Sequence, residues 1–242
     1  MAEYVSGPKF VTPRGVAIWP RLNEPDTKFD AAGVYECKVA LDAGDPVVEK
    51  IRVAAAKLID DKIAEVLEKN PGFLLDDAYE AKVAELKAAK KDALIKKLVK
   101  LVRVDPLDVE VDDETGEETG RVFLKAKMKA SGVSKKTNKP WTRKPTIFDA
   151  KGKQITNPPK IGGGSELKLS IELNPYYAAS DKKVGASFRL EAAQVLKLVQ
   201  FGARDAAGYG FGAEEGDELE EAEETFGTAA AGGASGDEDD DL

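Results

Sequence analysis

Alternating apolar and polar positions predict strands over residues 9–20 and 33–42. In Gly33-Val34-Tyr35-Glu36-Cys37-Lys38-Val39-Ala40-Leu41, the residues Tyr35, Cys37, Val39 and Leu41 share one face, with Glu36 and Lys38 opposite. The period then changes. Asp45-Pro46 opens a helix, the Asp as N-terminal cap and the Pro in the first turn. Val47, Ile51, Leu58, Ile59, Ile63, Val66 and Leu67 recur at helical spacing until Asn70-Pro71-Gly72 stops them. A second helix is expected from about 76 to 101, with Tyr79, Val83, Leu86, Leu94, Leu98 and Val99 as its apolar stripe. Its other face carries Lys87, Lys90, Lys91, Lys96, Lys97 and Lys100, which fits a solvated surface or a supplementary contact to a polyanion.

Strand patterning returns at 107–111 and 121–131, on either side of the acidic turn Asp112-Asp113-Glu114-Thr115-Gly116-Glu117-Glu118. As a calcium loop starting at Asp108, this segment would put Asp113 at the sixth position, where glycine is required, so a hairpin turn is expected. Further strands fit 145–149, 166–174 and 185–199, joined through Lys151-Gly152-Lys153 and Gly162-Gly163-Gly164-Ser165. The triple glycine lacks the Gly-Lys-Ser/Thr ending of a phosphate loop. Gly208-Tyr209-Gly210-Phe211-Gly212 has no strand before it and reads as a hinge. The fold class read from this pattern is mainly β. A Greek-key barrel or half-open sandwich would fit, the five-stranded oligonucleotide-binding barrel being the simplest candidate. It carries an inserted helical region at about 45–101 and forms one domain over 1–207. A flexible linker and a disordered acidic tail occupy 208–242.

Charge divides the chain more sharply than hydropathy does. Residues 213–242 hold thirteen Asp and Glu and no Lys or Arg. The preceding 212 residues therefore set all 36 basic side chains against 31 acidic ones (the chain's 44 less the tail's 13), a net +5 under an overall −8. A basic body with an acidic arm points to a polyanion ligand and a built-in competitor for it. With no histidine, the usual general base and the commonest zinc ligand are both missing, so a non-enzymatic role without metal or cofactor is expected. The lone Cys37 excludes an internal disulfide framework and fits a reducing interior. No signal-like or membrane-spanning apolar run is present, and the reading is a soluble, cytoplasmic protein that meets no membrane.

The strongest chemistry lies in residues 121–160, where twelve basic residues face one acid, Asp149, for a net +11. Along the first strand, Val122, Leu124, Ala126, Met128 and Ala130 fall on one face, and Arg121, Phe123, Lys125, Lys127 and Lys129 on the other. Alternate residues of a strand repeat at roughly 6.6 Å, near the spacing of phosphates along an extended single strand. The row is a ladder for a phosphate backbone. After it come Lys135, Lys136, Lys139, Arg143 and Lys144 around Trp141 in an expected loop. Trp141 fits either a core side chain or an exposed platform on which bases stack, and its polar neighbours favour the platform. Pro175-Tyr176-Tyr177 ends a strand and should project one tyrosine, while Trp19 and Phe123 are lesser stacking candidates. Lysines and aromatics without a helix bearing Arg, Asn or Gln for base edges point to single strands bound irrespective of sequence. The rival reading is a duplex-binding histone-like or chaperone-like interaction protein. A carboxylate-dependent nuclease lacks clustered acids in the basic segment. The tail ends in Asp237, Glu238, Asp239, Asp240, Asp241 and Leu242, acids to steer and one apolar side chain to seat in a partner, beside the simpler reading of a solubilising tail.

Several of these residues also carry a resemblance. Lys160-Ile161-Gly162-Gly163-Gly164-Ser165-Glu166-Leu167-Lys168-Leu169, Pro175-Tyr176, Val184-Gly185-Ala186-Ser187 and the strand to Phe201-Gly202 closely resemble the single-stranded DNA-binding proteins of short-tailed lytic phages, the podovirus type. The likeness extends upstream through 123–139 and 149–153 and into the acidic tail. It is strong over roughly 120–202, thin over 1–44 and poor in the helical region. It implies an oligonucleotide-binding barrel that coats single-stranded DNA in phage replication, recombination and repair, and promotes strand annealing. It also implies homodimers whose tails shield the DNA groove and recruit the replicative DNA polymerase and the helicase-primase, in the cytoplasm of the infected bacterial host. By position, Tyr176 matches the family's stacking tyrosine, and Lys125 and Lys127 match basic groove residues. Lys129 and Leu242 depart from the family, each standing where an aromatic residue is found.

Overall fold

The computed structural model describes residues 7–69 and 88–200. The N-terminal segment that alternation reads as one strand is two, β1 (Lys9–Val11) and β2 (Gly15–Asp26). They part at Thr12-Pro13, where the buried Thr12 exchanges hydrogen bonds with Leu169: its N–H donates to the Leu169 carbonyl and its hydroxyl accepts the Leu169 N–H, each at 2.9 Å. After β3 (Val34–Asp42) come α1 (Pro46–Lys69) and α2 (Ala88–Val102), then β4 (Asp108–Val111) and β5 (Glu118–Lys129). Short β6 (Ser131–Val133), β7 (Pro140–Thr142) and β8 (Thr146–Phe148) lead to the long β9 (Glu166–Ala178) and β10 (Lys183–Lys197). The expected helix start at 76 lies outside the described residues, as does everything from 201 onward.

Five strands pair in a ring: β2 with β3, β3 with β5, β5 with β10, β10 with β9, and β9 again with β2. All contacts in the ring are antiparallel except β5 with β10, whose register is Phe188↔Ala126 and Arg189↔Lys127. β1 adds to the edge of β9, β4 pairs with β5 across the acidic turn as a hairpin, and β8 runs parallel to β10. Register shifts at Leu190/Ala192 and Val195/Lys197 bend β10 so that it keeps its pairing with β9 along its length.

Alternation decides which side chains the ring encloses. Cys37, Val39 and Leu41 of β3, Val122, Leu124 and Ala126 of β5, and Leu167, Leu169, Ile171 and Leu173 of β9 are all buried. Helix α1 starts where the Asp45 carboxylate accepts the Val47 N–H at 2.7 Å, satisfying one of the orphan donors of the first turn. Its stripe Val48, Ile51, Ala55, Ile59, Ile63 and Val66 is buried in the same core as the strands, against β9 and β10. Helix α1, within the helical region between β3 and β4, is thus a wall of the main core. Arg103, just past α2, holds the two helices together by pairing with Asp60 and donating to the Ala56 carbonyl at 3.2 Å.

The Gly162-Gly163-Gly164-Ser165 turn has a structural task. The Gly162 N–H donates to Val199, the Gly164 N–H to Ala17, and the Ala17 N–H to Ser165. The buried Ser165 hydroxyl accepts the Val199 N–H at 2.9 Å. Gly164, at φ +84°, occupies a conformation that a residue with a Cβ resists. The turn latches the start of β2 and the start of β9 to the end of β10.

Burial and the neighbouring Glu36 charge, in that order, push the Cys37 thiol up to about 12. The thiolate that reacts with alkylating reagents is therefore scarce in the folded state. Iodoacetamide at mildly alkaline pH is expected to leave Cys37 unmodified in the native protein and to label it fully in guanidinium, as read by mass. Rapid labelling of the native protein would contradict the burial.

Candidate nucleic-acid interface

On the outside of β5 stand Arg121, Phe123, Lys125, Lys127 and Lys129, while their neighbours in sequence Val122, Leu124, Ala126 and Met128 point into the core. The antiparallel register sets β3 beside this row, with Lys38 opposite Lys125, Glu36 opposite Lys127 and Val34 opposite Lys129. The ladder is consequently not bare. The Glu36 carboxylate lies 3.1 Å from the Lys125 ammonium and 3.6 Å from that of Lys127. Asp30, from the β2–β3 connection, reaches Lys129 at 3.2 Å. The Ala32 N–H, followed by Lys129, holds the Asp30 carboxyl below the usual carboxylate range. The Lys38 ammonium sits 3.8 Å from the centre of the Phe123 ring, a cation–π contact that covers the ring.

The next strand adds an aromatic. In β2, Ile18 pairs with Lys38 and Arg21 with Glu36, so Trp19 and Pro20 together oppose Cys37 alone and form a bulge. Trp19 is 81% exposed and sits at φ +48°, a conformation that is uncommon outside glycine and strained for a bulky residue. The neighbouring connection bears Phe29, 90% exposed, with the Lys28 ammonium 5.2 Å from its ring centre. Alternation gave Trp19 a lesser weight and missed Phe29. A tryptophan in a strand whose partner pairing skips a residue is the signal, and it needs the register to be seen.

Trp141 and its cations, expected in a loop, lie on and around the β6–β7 hairpin, which grows directly from the end of the ladder. The Arg143 side chain donates to the Lys129 carbonyl at 3.1 Å, and the Ser131 hydroxyl to Ala32 at 2.8 Å. Lys135, Lys136 and Lys139 are exposed at its tip, closed by Asn138 at φ +52°, a conformation asparagine tolerates. Trp141 is half-buried across from Gly132, where a Cβ would come within 2.6 Å of the indole, so the ring lies on the glycine backbone. The Arg143 guanidinium stacks 4.2 Å from the ring centre, and Lys144 follows, exposed. Lys125, Lys127, Lys129, Lys135, Lys136, Lys139, Trp141, Arg143 and Lys144 thus form one continuous stretch of surface. Tyr176 stands apart from it, 37% exposed on β9 and lying over Gly185 of β10. The tail residues 237–242 are outside the described residues.

The family model of the single-stranded DNA-binding protein of bacteriophage T7 matches residues 16–200. Over 83 residues the chain is 35% identical to the single-stranded DNA-binding protein of Enterobacteria phage T3, a match covering 34% of this chain and 36% of that protein. The corresponding protein of Escherichia phage T7 is 34% identical over 83 residues, with the same coverage of 34% and 36%. Each match therefore spans little more than a third of the relative's length. The crystal structure of gp2.5, a single-stranded DNA-binding protein encoded by bacteriophage T7, superposes with a TM-score of 0.58 over 89% of this chain and 100% of that one, at 22% identity. The segment covered by the family model takes in all five strands of the ring and the whole of the cationic surface, and the chain belongs to the family of the bacteriophage T7 single-stranded DNA-binding protein.

Proposed function

We propose that this protein coats single-stranded DNA during phage DNA replication and recombination, binding it without regard to sequence and catalysing no reaction. The five-stranded ring, with its parallel contact between β5 and β10, is read as an oligonucleotide-binding barrel, whose sheet face commonly receives single strands. One observation carries the reading: a row of lysines at alternate positions of β5 runs without interruption into a cationic hairpin. The exposed Trp19 stands two strands away from the row. Lysines hold phosphates as point charges and aromatic faces accept any base, at about 1–3 kcal/mol per stacked base. Neither reads sequence. Trp19 and Tyr176 act as the stacking residues, and the strain at Trp19 is the cost of presenting its ring to a base.

The acidic tail is assigned two roles, competing with DNA for the cationic face and recruiting replisome proteins, the polymerase and helicase-primase among them. The thirteen carboxylates without a single cation support the first role. The terminal acids followed by Leu242 support the second.

Intrinsic tryptophan fluorescence tests the function directly. Titration with oligo-dT is expected to quench the signal at far lower concentration than a matched duplex does, and raising the salt should weaken binding steeply. Trp19→Phe should remove most of the quench. Duplex binding as tight as single-strand binding would instead identify a histone-like protein.

A further inference from the structure

Beside the ladder, around Arg21 on β2, a cleft of about 470 Å3 opens between β2, the segment entering β8 and residues 154–161. Its volume lies within the range of sites that enclose a small ligand. Arg21, Lys144 and Lys160 line it with a single carboxylate, Glu24. None of these three cations has an ion-pair partner among the described residues, whereas Lys125, Lys127 and Lys129 are each paired with a carboxylate. Unpaired positive charge thus runs from the hairpin, where Lys135, Lys136, Lys139 and Arg143 likewise have no ion-pair partner among the described residues, into the cleft.

The walls are pinned. The Asn23 amide donates to the carbonyls of Pro158 at 2.9 Å and Pro159 at 3.0 Å, and its oxygen accepts the Ile161 N–H at 3.0 Å. The Ile155 N–H donates to Ile147 at 2.9 Å. A site held this way needs little ordering when a ligand enters. Pro20, Ile155 and Pro158 give it apolar surface of the kind a sugar or base covers.

Register connects the cleft to the ladder. Lys127, Glu36 and Arg21 form one row across β5, β3 and β2, at about 4.8 Å per strand. Lys144 comes from the other side, one residue beyond Arg143 and the hairpin. Resting on the proposed function, we infer that the cleft takes a nucleotide of the bound strand. The strand leaves the ladder along the row ending at Arg21 and sets one phosphate among Arg21, Lys144 and Lys160.

The test is a length series of oligo-dT bound to the full chain and to the double variant Arg21→Ala/Lys160→Ala. Both side chains are exposed, and their loss opens no cavity. The shortest oligonucleotides that bind should bind both proteins equally. The variant's affinity should stop rising one or two nucleotides before that of the wild type. For the longest oligonucleotides it should be about threefold weaker, with a salt slope shallower by about 0.7, the share of one phosphate. Equal plateau lengths and equal slopes, with wild-type binding intact, would overturn the cleft alone. A wild-type chain that bound no oligonucleotide would overturn the function and the cleft together.

Discussion

Reversing two charges of the ladder, in Lys125→Glu/Lys127→Glu, will weaken binding to oligo-dT about a hundredfold at moderate salt. A charge about 6 Å from a phosphate in water contributes about 0.7 kcal/mol, and the double reversal changes four charge units, so about 2.8 kcal/mol is lost. Each factor of ten is about 1.4 kcal/mol, which gives the hundredfold. Both side chains are exposed and paired only with Glu36 among the described residues, so the core behind them is untouched. The reversed pair would, however, face Glu36 as a like charge. Lys125→Ala/Lys127→Ala avoids that and should cost half as much, about tenfold. Its salt slope should fall by about 1.4, the contribution of two phosphates to single-strand binding. Anisotropy of a labelled oligonucleotide over a range of salt gives both quantities, and a thermal melt establishes that the variants fold. Unchanged affinity and slope in the alanine pair would remove the ladder from the DNA path.

The ladder was legible because alternation is a local property. Once Val122, Leu124, Ala126 and Met128 are recognised as a buried face, Lys125, Lys127 and Lys129 must lie on the other. Helix α1 was legible for the same reason, from its spacing and its Asp45-Pro46 start. Its place was not, because a stripe announces that a face is buried without saying against what. Register was equally hidden. Alternation put Glu36 on the outer face of β3, but only the pairing with Lys127 made it a partner of two ladder lysines. The β6–β7 hairpin escaped because two three-residue strands rich in small and polar residues offer no period. Trp141 was correctly set among cations, yet its ring is engaged by Gly132 and Arg143, while the more exposed indole is at a bulge that breaks alternation. The glycine-rich segment that carries the family resemblance turned out to be a latch between strand ends, a structural signature distant in kind from base or phosphate recognition.

Neutralising Glu36 should have the opposite effect to neutralising the lysines beside it. A strand settling on the ladder must take Lys125 and Lys127 away from a carboxylate that already lies 3.1 and 3.6 Å from them. Exposed ion pairs of this kind contribute up to about 1 kcal/mol, and the same carboxylate repels an incoming phosphate. Glu36→Gln keeps the size and a hydrogen-bonding group but removes the charge, so single-stranded DNA should bind about 1 kcal/mol, roughly fivefold, more tightly. The gain should be largest at low salt and shrink as screening rises. Burial dominates the raised pKa of Cys37, so the thiol should remain unreactive in this variant, which gives an internal check that the strand has not loosened. Glu114→Gln, on the exposed turn between β4 and β5, serves as a charge-matched control and should leave affinity nearly unchanged. Tightening confined to Glu36→Gln would mean that competition for the lysines is built into the sheet itself, ahead of any contribution from the acidic tail. Weaker binding in Glu36→Gln would mean the reverse: the carboxylate would be serving to hold the two ammonium groups in line for the phosphates, and its charge would help the ladder more than it opposes the strand.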